Sequence, residues 1–279
     1  MKTNEINIRD PFVLTHNGKY YMYGTRGSEC WADEAYGLDV YVSDDLETWS
    51  EPKEIFTRTP EFPYTRNYWA PEVHKYKDKF YMFVSFKSPD TCRGTSILVS
   101  DRPDGVFTPH SDGNITPDEW ECLDGTFYLS GDRTPYMVFC HEWVQTTDGE
   151  ICAVRLTEDL KAAAGAPILL FKASEAGWTR KHAGGYVTDG PFMYRLPDGQ
   201  LLMIWSSFGD EGYALGAAKS DNGDITGNWT HAKAPLFAKD GGHGMIFTSL
   251  ENETILALHS PNSKLNERPV FCKNPALLS

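Results

Sequence analysis

The chain has 279 residues, 41% of them hydrophobic and 13% aromatic, which supplies a sizeable core and excludes a chain disordered by composition. A formal net charge of −13, with no cluster of Lys and Arg, argues against nucleic acid and against an anionic membrane surface as partners. Six cysteines (Cys30, Cys92, Cys122, Cys140, Cys152 and Cys272) lie scattered without a CxxC pair, so buried free thiols are expected rather than a zinc site or a redox motif.

Residues 1–5 lead straight into a strand-like run, and no run approaches the roughly 18 apolar residues of a membrane span. A soluble protein is expected: cytoplasmic, or secreted or periplasmic if a leader has been removed. The oligomeric state is not legible.

In chain order, residues 11–14 and 18–24 read as a hairpin across Asn17-Gly18, and 37–43 adds a third strand. The pattern returns at 72–75, 78–84 and 95–100, and again at 126–129, 134–139 and 150–156 across Gly131-Asp132. It returns once more at 191–194, 199–205 and 213–219 across Asp198-Gly199, and a last time at 245–248 and 253–258. With Asp10, Ala70, Asp124, Asp189 and His243 as markers, the steps are 60, 54, 65 and 54 residues. Repeats of that size with several strands are propeller blades. The expected fold is therefore all-β, a single five-bladed β-propeller over residues 1–279. A β-sandwich is the rival, and it leaves five matching units unexplained. The best helical candidate is the short segment 159–165.

In a propeller the innermost strands line a central channel, so residues at their starts converge at one mouth. The repeat brings Asp10, Asp124 and Asp189 there, with Glu72 and His243. Facing carboxylates suit glycoside hydrolysis, in which one activates water or attacks the sugar and another protonates the leaving oxygen. Crowding like charges raises one pKa, as an acid requires. Any one such Asp, next to Pro or Gly, also reads as a turn residue bonding its own backbone.

The ordered motifs Arg9-Asp10-Pro11-Phe12-Val13, Trp69-Ala70-Pro71-Glu72-Val73, Leu123-Asp124, Thr188-Asp189-Gly190-Pro191-Phe192 and Gly242-His243-Gly244 resemble those of glycoside hydrolase family 43. The resemblance spans nearly the whole chain. It implies inverting cleavage of α-L-arabinofuranosyl or β-D-xylosyl residues from plant oligosaccharides or polysaccharides, without a required cofactor. It implies Asp10 as the base and Asp124 as the residue that orients the acid. The fourth-blade acid of that family is Glu, where this chain has Asp189, whose carboxyl sits back by about 1.5 Å. Three readings are open: Asp189 is the acid, Glu142 in His141-Glu142-Trp143 has taken the role, or the protein binds sugar without cleaving it. Trp120-Glu121-Cys122 also resembles a motif of the fructan and sucrose hydrolases, but those open on Asn-Asp-Pro.

The same resemblance implies that His243 points into the channel, where calcium is possible, and that Arg268 reaches substrate hydroxyls. His259 is a weaker candidate. Trp69 is the leading sugar platform, with Trp31, Trp143, Trp205 and Phe208 beside it. Trp49, Trp178 and Trp229 are expected to plug blades. The loops 57–67 and 172–186 are expected to shape the mouth.

Overall fold

The computed structural model describes residues 1–276. Five antiparallel sheets follow one another along the chain. Blade one holds β1 (Ile8–His16), β2 (Lys19–Arg26), β3 (Gly37–Ser43) and β4 (Lys53–Thr57), and blade two holds β5 (Arg66–Tyr76), β6 (Lys79–Lys87), β7 (Gly94–Ser100) and β8 (Thr108–Pro109). Blade three is β9 (Cys122–Leu129), β10 (Pro135–His141), β11 (Glu150–Arg155) and β12 (Ile168–Lys172). Blade four is β13 (Asp189–Arg195), β14 (Leu201–Gly209), β15 (Gly212–Ser220) and β16 (Trp229–His231), and blade five has three strands, β17 (Gly242–Thr248), β18 (Thr254–Ser260) and β19 (Arg268–Lys273). The propeller expected from the repeat is the fold observed. Segment 159–165 is a run of turns and bends rather than a helix, and the one α-helical turn among the described residues, α1 (Trp143–Thr146), sits at the end of β10 instead.

Alternation along the strands feeds apolar cores between neighbouring blades. Phe83, Ile97 and Phe139 fill the gap between blades two and three, and Phe171, Trp178 and Trp205 fill that between blades three and four. Each such side chain contributes roughly 1.5–3 kcal/mol by leaving water. Trp49 and Trp178 are buried plugs, as expected, with Trp229 packed against the second cluster. All six cysteines are free, four of them buried.

The ring closes where β1 packs on β17, β18 and β19, and the short turn Thr3–Glu5 lies on β19. Asn7 donates to the Glu267 carbonyl at 3.0 Å, and Arg268 Nε donates to the Asn4 carbonyl at 3.0 Å.

Every innermost strand breaks register at the same place. Pairing skips between Arg9 and Phe12, Trp69 and Glu72, Asp189 and Phe192, and Gly242 and Met245; in blade three the break falls opposite Leu123. The residue that opens each bulge has left-handed backbone: Asp10 (φ 55°), Ala70 (47°), Asp124 (58°), Gly190 (49°) and His243 (49°). Four of the five are not glycine, at a cost of roughly 1–2 kcal/mol each. Their amides, turned out of the ladder, find acceptors on the second strand of the preceding blade. Ala70 N donates to Thr25 Oγ1 (2.8 Å), Asp124 N to Ser85 Oγ (2.9 Å), His243 N to Ser206 Oγ (2.7 Å) and Asp10 N to His259 Nδ1 (3.2 Å). Blade three presents Cys140 at that register, and a thiol is a poor acceptor. There the amide of Gly190 donates to Asp124 Oδ2 instead, at 2.9 Å.

This register corrects the matching of Asp189 to Asp10 and Asp124. Gly190 is the true equivalent, and Asp189 stands one residue earlier, level with Arg9, Trp69, Leu123 and Gly242. Glycine at 190 is required twice over: its φ is positive, and a Cβ there would meet the His243 ring at 2.7 Å.

Candidate active site

The bulges build a pocket in two tiers. Asp10, Asp124 and His243 come from the bulge position and are buried; Arg9, Trp69, Leu123 and Asp189 come from the position before it, where Arg9, Trp69 and Asp189 are only half-buried. The cavity measures about 560 Å³, within the range of sugar-sized ligand sites. Glu142 and Trp143, at the start of α1, line a further wall, and Trp31, 52% exposed, stands at the mouth.

In the buried tier, Asp10 Oδ2 accepts from Thr25 Oγ1 at 2.6 Å. His243 Nδ1 lies 3.2 Å from Asp10 Oδ1 and 3.7 Å from Asp124 Oδ2, and His259 Nδ1 lies 3.4 Å from Asp10 Oδ1. Burial pushes the Asp10 carboxyl up, but His243, with His259 and Arg9, overcomes it and holds the group well below the usual carboxylate range. Asp124 goes the other way: burial and then the Asp10 charge raise it well above that range, against the Gly190 amide.

Asp189 Oδ2 accepts from Tyr213 Oη at 3.0 Å. Burial, then the charge of Asp124, pushes Asp189 up to about 7, against the pull of His243 and the Tyr213 hydrogen bond. Glu142 is also raised, chiefly by burial, but it is held in an ion pair with the Arg93 guanidinium. Arg93 in turn stacks 4.4 Å over the Trp69 ring, and Trp69 Nε1 donates to the Cys30 carbonyl at 2.8 Å. Trp31 and Trp69 meet edge to face at 5.4 Å.

Of the expected site residues, Asp10, Asp124, Asp189, Glu142, Trp69, Trp143 and His243 converge on this pocket, as do Trp31 and Phe208. Three do not. Glu72 faces away, with its Oε2 2.9 Å from His74 Nε2 and the His74 ring edge-on to Phe12 and Phe83. Its strand has bulged at Ala70-Pro71, which turns Glu72 off the pocket lining. Arg268 is spent on backbone carbonyls of Asn4, Leu265 and Glu267. Trp205 is fully buried between blades. His259, the weaker candidate, is completely buried behind Asp10 with its Nε2 unpartnered.

Sequence reasoning missed Arg9, Arg93, His182 and Tyr213. Arg9 adjoins an expected strand and only the bulge register aims it inward, whereas Tyr213 opens the expected strand 213–219, whose inward face the repeat alone did not fix. His182 stacks on Phe208 at 3.7 Å from the loop 172–186, an approach made by tertiary folding alone.

Calcium wants six to eight oxygen ligands. Around His243 the protein offers two carboxylates, both already engaged with its Nδ1, and no group of three or more His, Cys, Asp or Glu among the described residues is arranged to hold a metal. These side chains do not fit the ion.

Comparison with known proteins agrees with this fold. A solved endo-arabinase from Bacteroides thetaiotaomicron VPI-5482 superposes with a TM-score of 0.91 at 41% identity, covering 100% of this chain and 97% of that one. An extracellular endo-α-(1→5)-L-arabinanase of Bacillus subtilis (strain 168) is 24% identical over 79% of this chain and 49% of its own length. An α-L-arabinofuranosidase B of Pyricularia oryzae is 25% identical over 91% of this chain and 54% of its own. The chain thus spans about half the length of the curated relatives it matches. A family model covers residues 4–274, and by that match the chain belongs to the glycosyl hydrolases family 43.

Proposed function

We propose that this protein is an inverting glycoside hydrolase acting on α-L-arabinofuranosyl linkages of plant polysaccharide or its oligomers, with β-D-xylosyl linkages as the second choice. One observation carries the reading. Two carboxylates in one pocket are pushed in opposite directions, Asp10 toward the ionised form and Asp189 up to about 7. Paired carboxyls with separated pKa values are what acid and base roles require. Asp10 activates the water. Asp189, one tier outward and still carrying its proton in a large fraction of molecules at neutral pH, gives that proton to the glycosidic oxygen. Burial first, and the neighbouring Asp124 carboxyl second, raise Asp189, and Asp124 is itself oriented by the Gly190 amide. Glu142 is bound to Arg93, which favours a substrate-holding role over that of the acid. The arabinofuranosyl preference rests on the likeness to a solved endo-arabinase over nearly its whole length.

The test is product release from linear α-1,5-arabinan, a p-nitrophenyl α-L-arabinofuranoside and a p-nitrophenyl β-D-xyloside. The Asp10→Asn enzyme should lose roughly 10²–10⁴-fold in rate on all of them. Asp189→Asn should lose a similar factor on arabinan and much less on the aryl sugar, whose leaving group needs little protonation. Glu142→Gln should lose less than about tenfold in kcat. The reading fails if Asp10→Asn turns over as the wild type does. A second reading, a sugar-binding propeller without turnover, is favoured by the short Asp189 side chain alone. Arabino-oligosaccharide binding with no product from any substrate would establish it.

A further inference from the structure

Beside the catalytic pocket lies a second cavity of about 270 Å³, walled by Cys30, Trp31, Trp69 and Arg93, which it shares with the first, and by Arg66 and Lys87. Three cations therefore surround one small space on a chain whose net charge is −13. Two of them are neutralised: Lys87 Nζ sits 2.5 Å from Glu121 Oε1, and Arg93 pairs with Glu142. Arg66 has no ion-pair or hydrogen-bond partner for its guanidinium among the described residues, and its Nε is buried without an acceptor. Leaving a buried donor of a charged group without an acceptor is destabilising.

The register makes the arrangement costlier still. Arg66 and Lys87 are direct cross-strand partners on β5 and β6, and like charges set opposite each other destabilise a sheet, a cost that the Lys87–Glu121 pair offsets only in part. Both costs disappear if an anion sits between them. The aromatic walls state what carries it. Trp31, exposed and edge-on to Trp69, offers a face for a sugar ring at the boundary of the two cavities. A planar guanidinium with a free fork matches a carboxylate in two-point geometry.

We propose that this annex is a subsite for an acidic sugar, a hexuronate unit of the polysaccharide, with its carboxylate on Arg66 and its ring against Trp31. The proposal rests on the hydrolase reading only for the word subsite; the charge recognition stands without turnover. The protein then prefers arabinose-containing chains that carry or adjoin uronic acid.

The probes are an arabinose-based tetrasaccharide bearing one hexuronic acid, and the same molecule with its carboxyl reduced to the alcohol. Calorimetry on the Asp10→Asn protein should show the acidic probe binding about tenfold tighter at low salt, the gap closing at high ionic strength. Adding Arg66→Gln should abolish the gap while leaving affinity for the reduced probe unchanged; adding Arg66→Lys should keep part of it. Because the substitution relieves the Arg66–Lys87 repulsion, Arg66→Gln should melt no lower than its parent, which separates lost recognition from lost folding. Equal affinity of the Asp10→Asn protein for both probes overturns the proposal, as does a preference that survives Arg66→Gln. Turnover of both probes by the wild type at equal kcat/KM sinks the annex and leaves the hydrolase intact. A charge preference with no product from either probe keeps the annex and sinks the hydrolase.

Discussion

Asp189 is the side chain whose surroundings make the sharpest demands on experiment. With the group raised to about 7, activity that needs its proton is fully present below that pH and is lost as pH rises through it. Asp10, held low, sets no limb near neutrality. The kcat/KM profile should therefore fall on the alkaline side near pH 7. Tyr213→Phe removes a hydrogen bond that favours the charged form, so the limb should move to higher pH. The same shift acts on stability. A carboxyl at about 7 in the folded chain and near 3.8 unfolded binds more protons when folded, so stability falls as pH rises between those values. Asp189→Asn should melt higher than the wild type at pH 8 and equally below pH 4, by calorimetry. Much of this site was legible residue by residue, because Asp10, Asp124, Trp69 and His243 stand in ordered motifs at strand starts and Glu142 in a polar, charged and aromatic trio at a strand end. What was not legible is the side of the chain that Arg9 and Glu72 take, since one inserted bulge residue reverses which face a neighbour points to.

The element that decides the site is the bulge, repeated in all five inner strands. A hydroxyl or imidazole on the preceding blade caps four of the five displaced amides, so the holder of each site residue lies one blade away. Thr25 does this twice over, accepting from Ala70 N at 2.8 Å and donating to Asp10 Oδ2 at 2.6 Å. Thr25→Val keeps the shape and removes both. Thermal unfolding should show a loss of roughly 1–3 kcal/mol, and kcat should drop with it because Asp10 loses an orienting donor. The strand repeat was readable from hairpins and period, down to β3 at 37–43 and β11 starting at 150. The outer strands β4, β8, β12 and β16 were not: they run two to five residues and are largely exposed. Strands of two to five residues are too short to show a period, and Ile168–Lys172 is an apolar run without alternation. The misplaced repeat marker in blade four has a similar cause, since nothing in Asp189-Gly190 tells which residue opens the bulge without the pairing of β14.

Across the whole molecule, the two ends of the chain meet at the junction of blades five and one. Arg268 belongs to that closure and not to substrate recognition. Arg268→Ala should lower the melting temperature by about 2–4 °C for roughly 1 kcal/mol lost, with KM and kcat unchanged; a raised KM would return the residue to the pocket. The pocket itself straddles the seam, for the Asp10 amide is held by His259, 249 residues later in the chain. That seam has a consequence in time. Four blades emerge from the ribosome and can stack before the last hairpin exists, yet none of them completes the surroundings of Asp10. Contacts so distant in sequence are closed slowly. On refolding, β-sheet circular dichroism should recover first and hydrolysis last, with the lag abolished by nothing short of joining blade five to blade one. Turnover is thus a clock for the final event of folding, and a nascent chain paused before its last strands is silent however much propeller it has already built.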